Sequence, residues 1–286
     1  MARLSLSRPS RPGASKGRET MDWGIQNRLA RILKPPYGRT VMLAVDHGYI
    51  MGPTSGLEQL GKTVAPLLPY ADSLMLTRGA LRNEISPLVD VPIVLRVSGG
   101  TSVLNKELLR EGIATSMEEA IRLNVAAVAF SIMVGAEFER DTLLNFTQVV
   151  DEAERYGIPT LAVTAVGKEM ERDAKYLSLA TRIAGELGAR VVKTYFCDDF
   201  ERVAGTSPVP VVIAGGKKQP EAEALEMAYA AIQAGAAGVD MGRNIFQSEH
   251  PVAMIQAVRA VVHDNATPHE AYEVFCHMRE LLPVPA

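Results

Sequence analysis

Cysteine, histidine and aromatic residues are scarce in this chain of 286 residues. The two cysteines, Cys197 and Cys276, are too few for a disulfide framework and lack the close spacing typical of a zinc site. Four of the five histidines are scattered, with no cluster of carboxylates beside them, which argues against a zinc-dependent mechanism. We therefore expect no bound metal or other cofactor and a reducing compartment, the cytoplasm.

Long apolar runs and an overall basic charge are also missing. The most apolar stretch, 123–136, is shorter than the ~18 residues of a membrane helix and contains Asn124 and Ser131. The formal net charge is −3. We therefore expect neither a membrane nor a nucleic acid as a partner.

The first 20 residues differ from the rest in charge. Five basic residues precede the first acidic one, Glu19: Arg3, Arg8, Arg11, Lys16 and Arg18. The Ser, Pro and Arg content leaves a transit peptide open, but the segment lacks the apolar stretch of a secretory signal. We predict a mobile basic arm over residues 1–20, followed by a single domain over residues 21–286.

Eight short apolar runs alternate with helix-like segments along that domain. They are rich in β-branched, Ala or Leu residues without polar alternation, which is typical of parallel strands covered on both faces. The runs cover residues 40–45, 73–76, 92–97, 126–130, 160–164, 190–194, 210–214 and 238–241. This α/β pattern predicts a (β/α)8 TIM barrel with a C-terminal helical extension. A doubly wound dinucleotide-binding sheet is disfavoured because no GxGxxG follows an early strand.

Helical spacing is clearest in two of the intervening segments. One carries apolar residues at helical intervals and stops at Gly188: Leu177, Ala180, Ala184 and Leu187. The other does the same and stops at Gly235: Leu225, Ala228 and Ile232. Glycine after the last periodic residue is a common helix stop signal, so both segments are predicted to be helices.

Glycine turns follow the seventh and eighth predicted strands. Gly215 and Gly216 end one strand, and Gly242 and Arg243 follow the other. A Gly-Gly pair alone is more often just a tight turn. Barrels, however, frequently hold phosphate at these two loops, where glycines let backbone amides approach an anion and an arginine can bind its oxygens. The pair of turns therefore predicts a phosphate site.

Lys193 is embedded in the apolar sixth strand, Val-Val-Lys-Thr. A buried ammonium is costly, so such a lysine either reaches outward to solvent or reacts as a neutral amine. A neutral amine attacks a carbonyl carbon, and the protonated imine that results is an electron sink. A lysine at a strand end is more often a solvated residue at the rim, but opposite a phosphate site we favour a Schiff-base lysine.

Polar residues follow three of the early strands. Asp46 and His47, after the first strand, suit proton transfer or orientation of a substrate hydroxyl, although an Asp that caps a turn beside a surface His is an alternative. Arg78 and Arg96, near the ends of strands two and three, could bind a second anionic group. Pairing of these arginines with neighbouring carboxylates is equally compatible with the sequence.

The motifs together resemble a known family. They include VMLAVDHGY at 41–49, VTAVGK at 163–168, VKTY at 192–195, IAGGKK at 213–218 and GVDMGRNIFQSEHPV at 238–252. From about Asp22 to Val262 the chain resembles the class I aldolase family that includes the archaeal-type fructose-bisphosphate aldolases. Within that family it is similar to the thiolase branch that processes phosphorylated autoinducer-2 in quorum sensing.

The resemblance implies a catalytic Lys193, and it implies that the loops at Gly215, Gly216, Gly242 and Arg243 hold a substrate phosphate. It also implies an acetyltransferase with a phosphorylated ketone as substrate, coenzyme A as co-substrate, and a large homo-oligomer such as a decamer. One departure is that related aldolases supply an acid/base tyrosine from strand five, which 161–164 lacks. A sugar-phosphate aldolase and a non-catalytic phosphometabolite-binding barrel remain as alternatives.

Overall fold

The computed structural model describes residues 22–105, 110–165 and 171–281, and these residues form a closed barrel of eight parallel strands. The predicted arm over residues 1–20 lies outside the described residues. The barrel strands are β1 (Thr40–Ala44), β2 (Ser73–Thr77), β3 (Ile93–Arg96), β4 (Ala127–Ile132), β5 (Thr160–Thr164), β6 (Val191–Tyr195), β7 (Val211–Ala214) and β8 (Gly238–Met241). Each strand pairs with its neighbours in chain order, and β8 pairs with β1.

The prediction of a TIM barrel is confirmed. Each of the eight predicted strands coincides with a barrel strand, with ends that differ by no more than two residues. A separate pair of short antiparallel strands, Ser98–Gly99 and Gly112–Ile113, lies between β3 and β4 in the chain.

Helices occupy the connections between the strands and follow the last one. Before β4 they are α1 (Trp23–Ile32), α2 (Gly48–Met51), α3 (Leu60–Val64), a 3-10 helix (Ala65–Tyr70), α4 (Arg78–Glu84) and α5 (Met117–Arg122). After β4 they are α6 (Glu139–Arg155), α7 (Ala174–Glu186), α8 (Phe200–Thr206), α9 (Glu221–Gln233), α10 (Arg243–Phe246), α11 (Pro251–Asp264) and α12 (Pro268–Leu281). None of the helices in the described ranges has both the length and the apolar character needed to cross a bilayer.

The two helices predicted from apolar spacing are α7 and α9. Gly188 and Gly235, just beyond their ends, adopt φ angles of 102° and 97°. Side chains with a Cβ rarely adopt these angles, so glycine allows the backbone to turn sharply from the helix into the next strand. Both stop signals in the sequence are therefore confirmed.

The lower part of the barrel interior is apolar. Its buried side chains form one cluster that includes Met42, Met75, Val94, Leu161, Val191 and Val212. Ile32 of α1 belongs to the same cluster, and Leu29 packs against it. Because α1 precedes β1 and meets the interior there, it covers the N-terminal end of the barrel.

The upper part of the interior, toward the carboxyl ends of the strands, is polar. Arg96 ends β3, Lys193 is the central residue of β6, and Asp240 is the last but one residue of β8. Ala44 and Ala214 stand near them on β1 and β7, and such small side chains leave space in the barrel. Polar groups and free volume therefore coincide at the end of the fold where TIM-barrel active sites lie.

A buried carboxylate, Asp72, fastens β1 and β2 to α11 at the opposite end. Its Oδ2 atom accepts a hydrogen bond from the Val41 amide at 2.7 Å and lies 2.6 Å from His263 Nε2. Arg259 Nη1 lies 3.1 Å from Oδ1. Burial raises the pKa of Asp72, but the hydrogen bonds from His263 and Val41 outweigh burial and hold the pKa below its ordinary value.

We predict that Asp72→Asn lowers the free energy of unfolding by about 3 kcal/mol at pH 7, because it removes one partner of a buried ionic cluster. A carboxyl with a depressed folded-state pKa stabilises the fold above its unfolded-state pKa and loses this effect as the pH falls through the folded-state value. The difference from the parent protein should therefore shrink below about pH 4. Urea unfolding followed by circular dichroism measures it.

The control is Asp264→Asn, which changes an exposed carboxylate on the same helix α11. We expect this variant to match the parent protein within about 0.5 kcal/mol. Equal stability of Asp72→Asn and the control at pH 7 would contradict the structural role of Asp72.

Candidate active site

A cavity of about 280 Å³ opens at the carboxyl ends of the barrel strands. All seven site residues predicted from the sequence line it: Asp46, His47, Lys193, Gly215, Gly216, Gly242 and Arg243. They come from β6 and from the segments after β1, β7 and β8, which are distant in the chain but adjacent in the closed barrel. The structure therefore brings the predicted residues together in one place.

Lys193 reaches across the barrel interior instead of out to solvent. Its side chain is 11% exposed, and Nζ lies 2.9 Å from Oδ2 of Asp240, whose side chain is fully buried. Lys193 pairs in register with Val212 on β7, and Asp240 pairs with Ala214 on the same strand. Because Ala214 is small, the lysine can extend past β7 to a carboxylate two strands away.

Asp240 was not among the predicted site residues. Burial raises the pKa of its carboxyl to about 6, although the nearby Lys193 ammonium opposes this shift. No hydrogen-bond partner for Oδ1 occurs among the described residues. The sequence did contain a signal, since a charged residue inside the apolar run Gly-Val-Asp-Met is as unusual as Lys193 inside β6.

Asp46 is held by Arg96, which enters the cavity from β3. Arg96 Nη1 donates to Asp46 Oδ2 at 2.7 Å, and both side chains are about nine-tenths buried. Burial raises the pKa of Asp46, but the charges of Arg96 and Lys193 outweigh burial and lower the pKa to about 2. Asp46 is therefore a stable carboxylate at neutral pH.

Glu111 is the second carboxylate that Arg96 binds, and it was not predicted from the sequence. Its side chain is fully buried and accepts hydrogen bonds from Arg96 Nη2 at 2.9 Å and from Ser98 Oγ at 2.6 Å. The Tyr49 hydroxyl also donates to Glu111, and the Tyr49 ring lies 4.6 Å below the Arg96 guanidinium. Burial is the main reason why the pKa of Tyr49 is raised.

The two arginines considered in the sequence have different surroundings. Arg96 pairs with carboxylates in the cavity and also donates to Ser131 Oγ at 2.5 Å. Arg78 is exposed at the first position of α4 and does not line the cavity. Neither position supports the suggested second anion site, because Arg96 is already paired with Asp46 and Glu111 and Arg78 lies outside the cavity.

His47 lies at the edge of the cavity beside the loop after β8. Burial lowers the pKa of its imidazole to about 4, since the neighbouring Asp46 only partly offsets burial and the charges of Lys193 and Arg243. Its Nδ1 atom has no hydrogen-bond partner among the described residues. His47 is therefore a neutral imidazole at physiological pH, able to donate or accept one hydrogen bond.

A close contact requires glycine at the turn after β8, and a positive φ angle favours it at the turn after β7. A Cβ on Gly242 would lie 2.3 Å from the Ala44 carbonyl oxygen and 2.6 Å from Cε1 of His47. Gly216 adopts φ +68°, which favours glycine. The backbone can therefore line the cavity directly at both turns.

Asn244 joins the two glycine turns, and it was not singled out in the sequence. Its buried side chain donates from Nδ2 to the Gly215 carbonyl at 2.6 Å and accepts from the Gln219 amide at 2.8 Å. Arg243 precedes it at the start of α10, and Arg243 Nε has no partner among the described residues. The Asn244 side chain thus links the loop after β7 to the loop after β8, which contains Arg243.

Strand β5 contributes Val163 and Thr164 to the cavity and no tyrosine. Thr164 Oγ1 donates to Thr194 Oγ1 at 2.7 Å, so this hydroxyl is engaged with the neighbouring strand. Among the described residues, no group of three or more His, Cys, Asp or Glu side chains is arranged to hold a metal ion.

Residues 40–248 match the model of the DeoC/LacD family aldolases. The chain is 58% identical to a 3-hydroxy-5-phosphonooxypentane-2,4-dione thiolase of Photorhabdus laumondii over 261 residues, which cover 91% of this chain and 89% of that protein. It is 57% identical to the thiolase of the same name from Salmonella typhimurium over 263 residues, which cover 92% of this chain and 90% of that protein.

Solved structures agree with this relationship. An archaeal fructose 1,6-bisphosphate aldolase superposes with a TM-score of 0.75 at 25% identity, covering 84% of this chain and 99% of the other. A second archaeal fructose-1,6-bisphosphate aldolase, with its catalytic lysine covalently bound to the carbinolamine intermediate of the substrate, has a TM-score of 0.74 at 25% identity and covers 83% and 99%. The resemblance inferred from the sequence is confirmed: the chain belongs to the DeoC/LacD aldolase family.

Proposed function

We propose that this protein is a thiolase that cleaves 3-hydroxy-5-phosphonooxypentane-2,4-dione with coenzyme A, giving acetyl-CoA and dihydroxyacetone phosphate. The relatives of 55 to 58% identity that carry this name support the substrate. The reaction then belongs to the degradation of phosphorylated autoinducer-2, the quorum-sensing signal to which the sequence resemblance points.

The observation that carries the proposal is the position of Lys193. Its amine lies inside the cavity formed also by Gly215, Gly242 and Arg243. The proposed assignment is a Schiff-base lysine at Lys193 and a phosphate site at the loops after β7 and β8. Backbone amides at glycine turns and the start of a short helix, together with a guanidinium, are groups that bind phosphate in many barrels.

The chemistry begins with the phosphate at the paired loops, which sets the C4 ketone of the substrate beside Lys193. The amine forms an imine at C4 with loss of water. The thiolate of coenzyme A then attacks the C2 carbonyl, and the C2–C3 bond breaks. Its electrons move into the iminium as an enamine, which is protonated at C3 and hydrolysed to dihydroxyacetone phosphate.

Asp46 and His47 are assigned to the substrate hydroxyl and to proton transfer. Asp46 remains a carboxylate because Arg96 and Lys193 lower its pKa to about 2. It is therefore suited to accept a hydrogen bond from the C3 hydroxyl. His47, with a pKa lowered to about 4 chiefly by burial, is suited as a neutral proton acceptor.

An aldolase that acts on a sugar phosphate is the second candidate, and the solved aldolase structures favour it. The absence of a tyrosine on β5 weighs against it, because aldol cleavage needs an acid/base at the hydroxyl that becomes a carbonyl. Attack by a thiolate avoids this requirement. A non-catalytic phosphometabolite-binding barrel would not need a reactive amine, so it does not account for the costly buried ion pair of Lys193 and Asp240.

The proposal extends to the surroundings of the enzyme. Coenzyme A enters from the open side of the cavity, and the protein acts in the cytoplasm as a large homo-oligomer such as a decamer. A reducing compartment is consistent with the two free cysteines, Cys197 and Cys276.

We predict that the parent protein converts the phosphorylated diketone to acetyl-CoA and dihydroxyacetone phosphate only when coenzyme A is present. Lys193→Ala should abolish turnover, because no imine can form, and should retain binding of the substrate through its phosphate. Chromatography of the products and isothermal titration calorimetry measure the two effects.

The control is Lys175→Ala, which removes an exposed lysine on α7 and should leave turnover unchanged. Formation of acetyl-CoA by Lys193→Ala at the normal rate would exclude the assigned role. Cleavage of the diketone by the parent protein without coenzyme A would favour the aldolase instead.

We predict that Arg243→Gln lowers kcat/KM for the phosphorylated diketone about 10- to 100-fold, as expected from the loss of one charged hydrogen-bonding partner. The value for unphosphorylated 3-hydroxypentane-2,4-dione should change little. The matched control is Arg78→Gln, which alters an exposed arginine outside the cavity. A uniform loss on both substrates would contradict phosphate binding by Arg243.

A further inference from the structure

Asp240 is a buried carboxyl group in reach of the reacting amine and is not used in the steps above. It lies on β8 with a side chain that is fully buried, and its Oδ2 is 2.9 Å from Lys193 Nζ. Its Oδ1 has no hydrogen-bond partner among the described residues. Asp240 lines the same cavity as Lys193. Oδ2 also lacks a hydrogen bond of good geometry among the described residues, so charge alone holds the pair and both oxygens are available to accept a proton or contact substrate.

Buried ionised carboxyl groups are expensive, and proteins usually surround them with several donors. Asp46, in the same cavity, has a donor of this kind in Arg96. Asp240 instead has only the lysine amine beside it, at a distance typical of an ion pair. This poor compensation makes its ionised and neutral forms close in free energy, and the pKa of about 6 is consistent with that balance.

We propose that Asp240 is the proton carrier for Lys193 during formation and hydrolysis of the imine, an inference that rests on the Schiff-base function assigned to Lys193. The Asp240 carboxylate accepts a proton from the lysine ammonium, and this loss makes the amine nucleophilic. Asp240 later gives that proton to the oxygen that leaves as water. Asp46 does not serve in this step, because its ion pair with Arg96 holds it in the carboxylate form.

The sequence of events is balanced in atoms and charge. Lys193 ammonium gives one proton to Asp240 carboxylate, and the neutral amine forms a C–N bond at the substrate ketone. A proton then passes from this nitrogen to the former carbonyl oxygen, giving a neutral carbinolamine. Asp240 donates its proton to that hydroxyl, the C–O bond breaks, and water leaves. The iminium that remains is paired with Asp240 carboxylate, so the ion pair of the resting site is restored.

The same carrier serves the reverse reaction after carbon–carbon cleavage. When the enamine is protonated at C3, the nitrogen becomes cationic again and faces the Asp240 carboxyl. Water adds to the iminium carbon and gives a proton to Asp240, which leaves a neutral carbinolamine. Asp240 returns this proton to the nitrogen, the C–N bond breaks as the C=O bond forms, and the hydroxyl proton passes to the departing amine. The products are the ketone, Lys193 ammonium and Asp240 carboxylate. The groups that surround Asp240 at each stage are Lys193, Asp46 and Arg96.

The test uses the half-reaction with dihydroxyacetone phosphate, which needs no coenzyme A. The parent protein is mixed with this ketone, the imine is reduced with borohydride after increasing times, and the modified Lys193 is quantified by mass spectrometry. We predict that Asp240→Asn forms the imine about 10²- to 10⁴-fold more slowly, because a positioned proton carrier is worth this much. Binding of dihydroxyacetone phosphate by calorimetry should be retained.

Asp198→Asn is the matched control. Asp198 follows the same strand as Lys193 but is exposed and does not line the cavity, so imine formation should proceed at the parent rate. If Asp240→Asn forms the imine at the parent rate or faster, the proposal is overturned. The faster rate would show that Asp240 only holds Lys193 in its unreactive ammonium form.

A second variant separates proton transfer from positioning of the lysine. Asp240→Ala leaves space beside Lys193 that a small carboxylate can occupy. We predict that added formate accelerates imine formation in Asp240→Ala and has no effect on Asp240→Asn, which has no such space. A slow Asp240→Ala protein that formate does not accelerate would assign Asp240 to positioning alone and overturn the proposal.

The parent protein separates this inference from the proposed function. If borohydride traps no dihydroxyacetone phosphate on the parent protein, the Schiff-base function fails, and the role of Asp240 fails with it. If trapping occurs on the parent protein and equally on Asp240→Asn, only the role of Asp240 fails.

Discussion

The site depends on the mutual compensation of charges inside the barrel. Arg96 and Lys193 share this interior with three carboxylates, those of Asp46, Glu111 and Asp240. Burial of any one of these charges without a partner would lower the stability of the fold by several kcal/mol, because the charge loses its hydration. Arg96 binds two carboxylates firmly, which leaves Lys193 and Asp240 as the weakly compensated pair, and chemistry that moves protons is expected where compensation is weakest.

Much of the fold and part of the site could be predicted from the sequence. The strands were found because both faces of a parallel barrel are buried, so each strand is a continuous apolar run such as 160–164. Lys193 was found because a charge interrupts such a run. The partners of these groups could not be predicted, since Asp240 meets Lys193 only through the register of both residues against β7. Glu111 carries no sequence signal, because it lies outside any periodic segment.

The two halves of the site are built in different ways. The half proposed to bind phosphate is mostly backbone, with Gly242 packed so closely against Ala44 and His47 that no side chain fits, and with Asn244 joining the turns. The chemical half is made of side chains that project from rigid strands. Backbone amides keep the same charge at every pH, whereas the side chains can exchange protons, and this division suits one half to binding and the other to reaction.

The cover that α1 forms over the N-terminal end of the barrel affects the order of events in the proposed reaction. Ile32 and the apolar side chains above it pack together at this end of the barrel interior. In the proposed reaction the ketone reaches Lys193 from the carboxyl ends of the strands, where the cavity opens, and coenzyme A approaches from the same end. For the proposed reaction we expect this arrangement to give an ordered kinetic mechanism, in which the ketone binds before coenzyme A and acetyl-CoA departs before the ketone product.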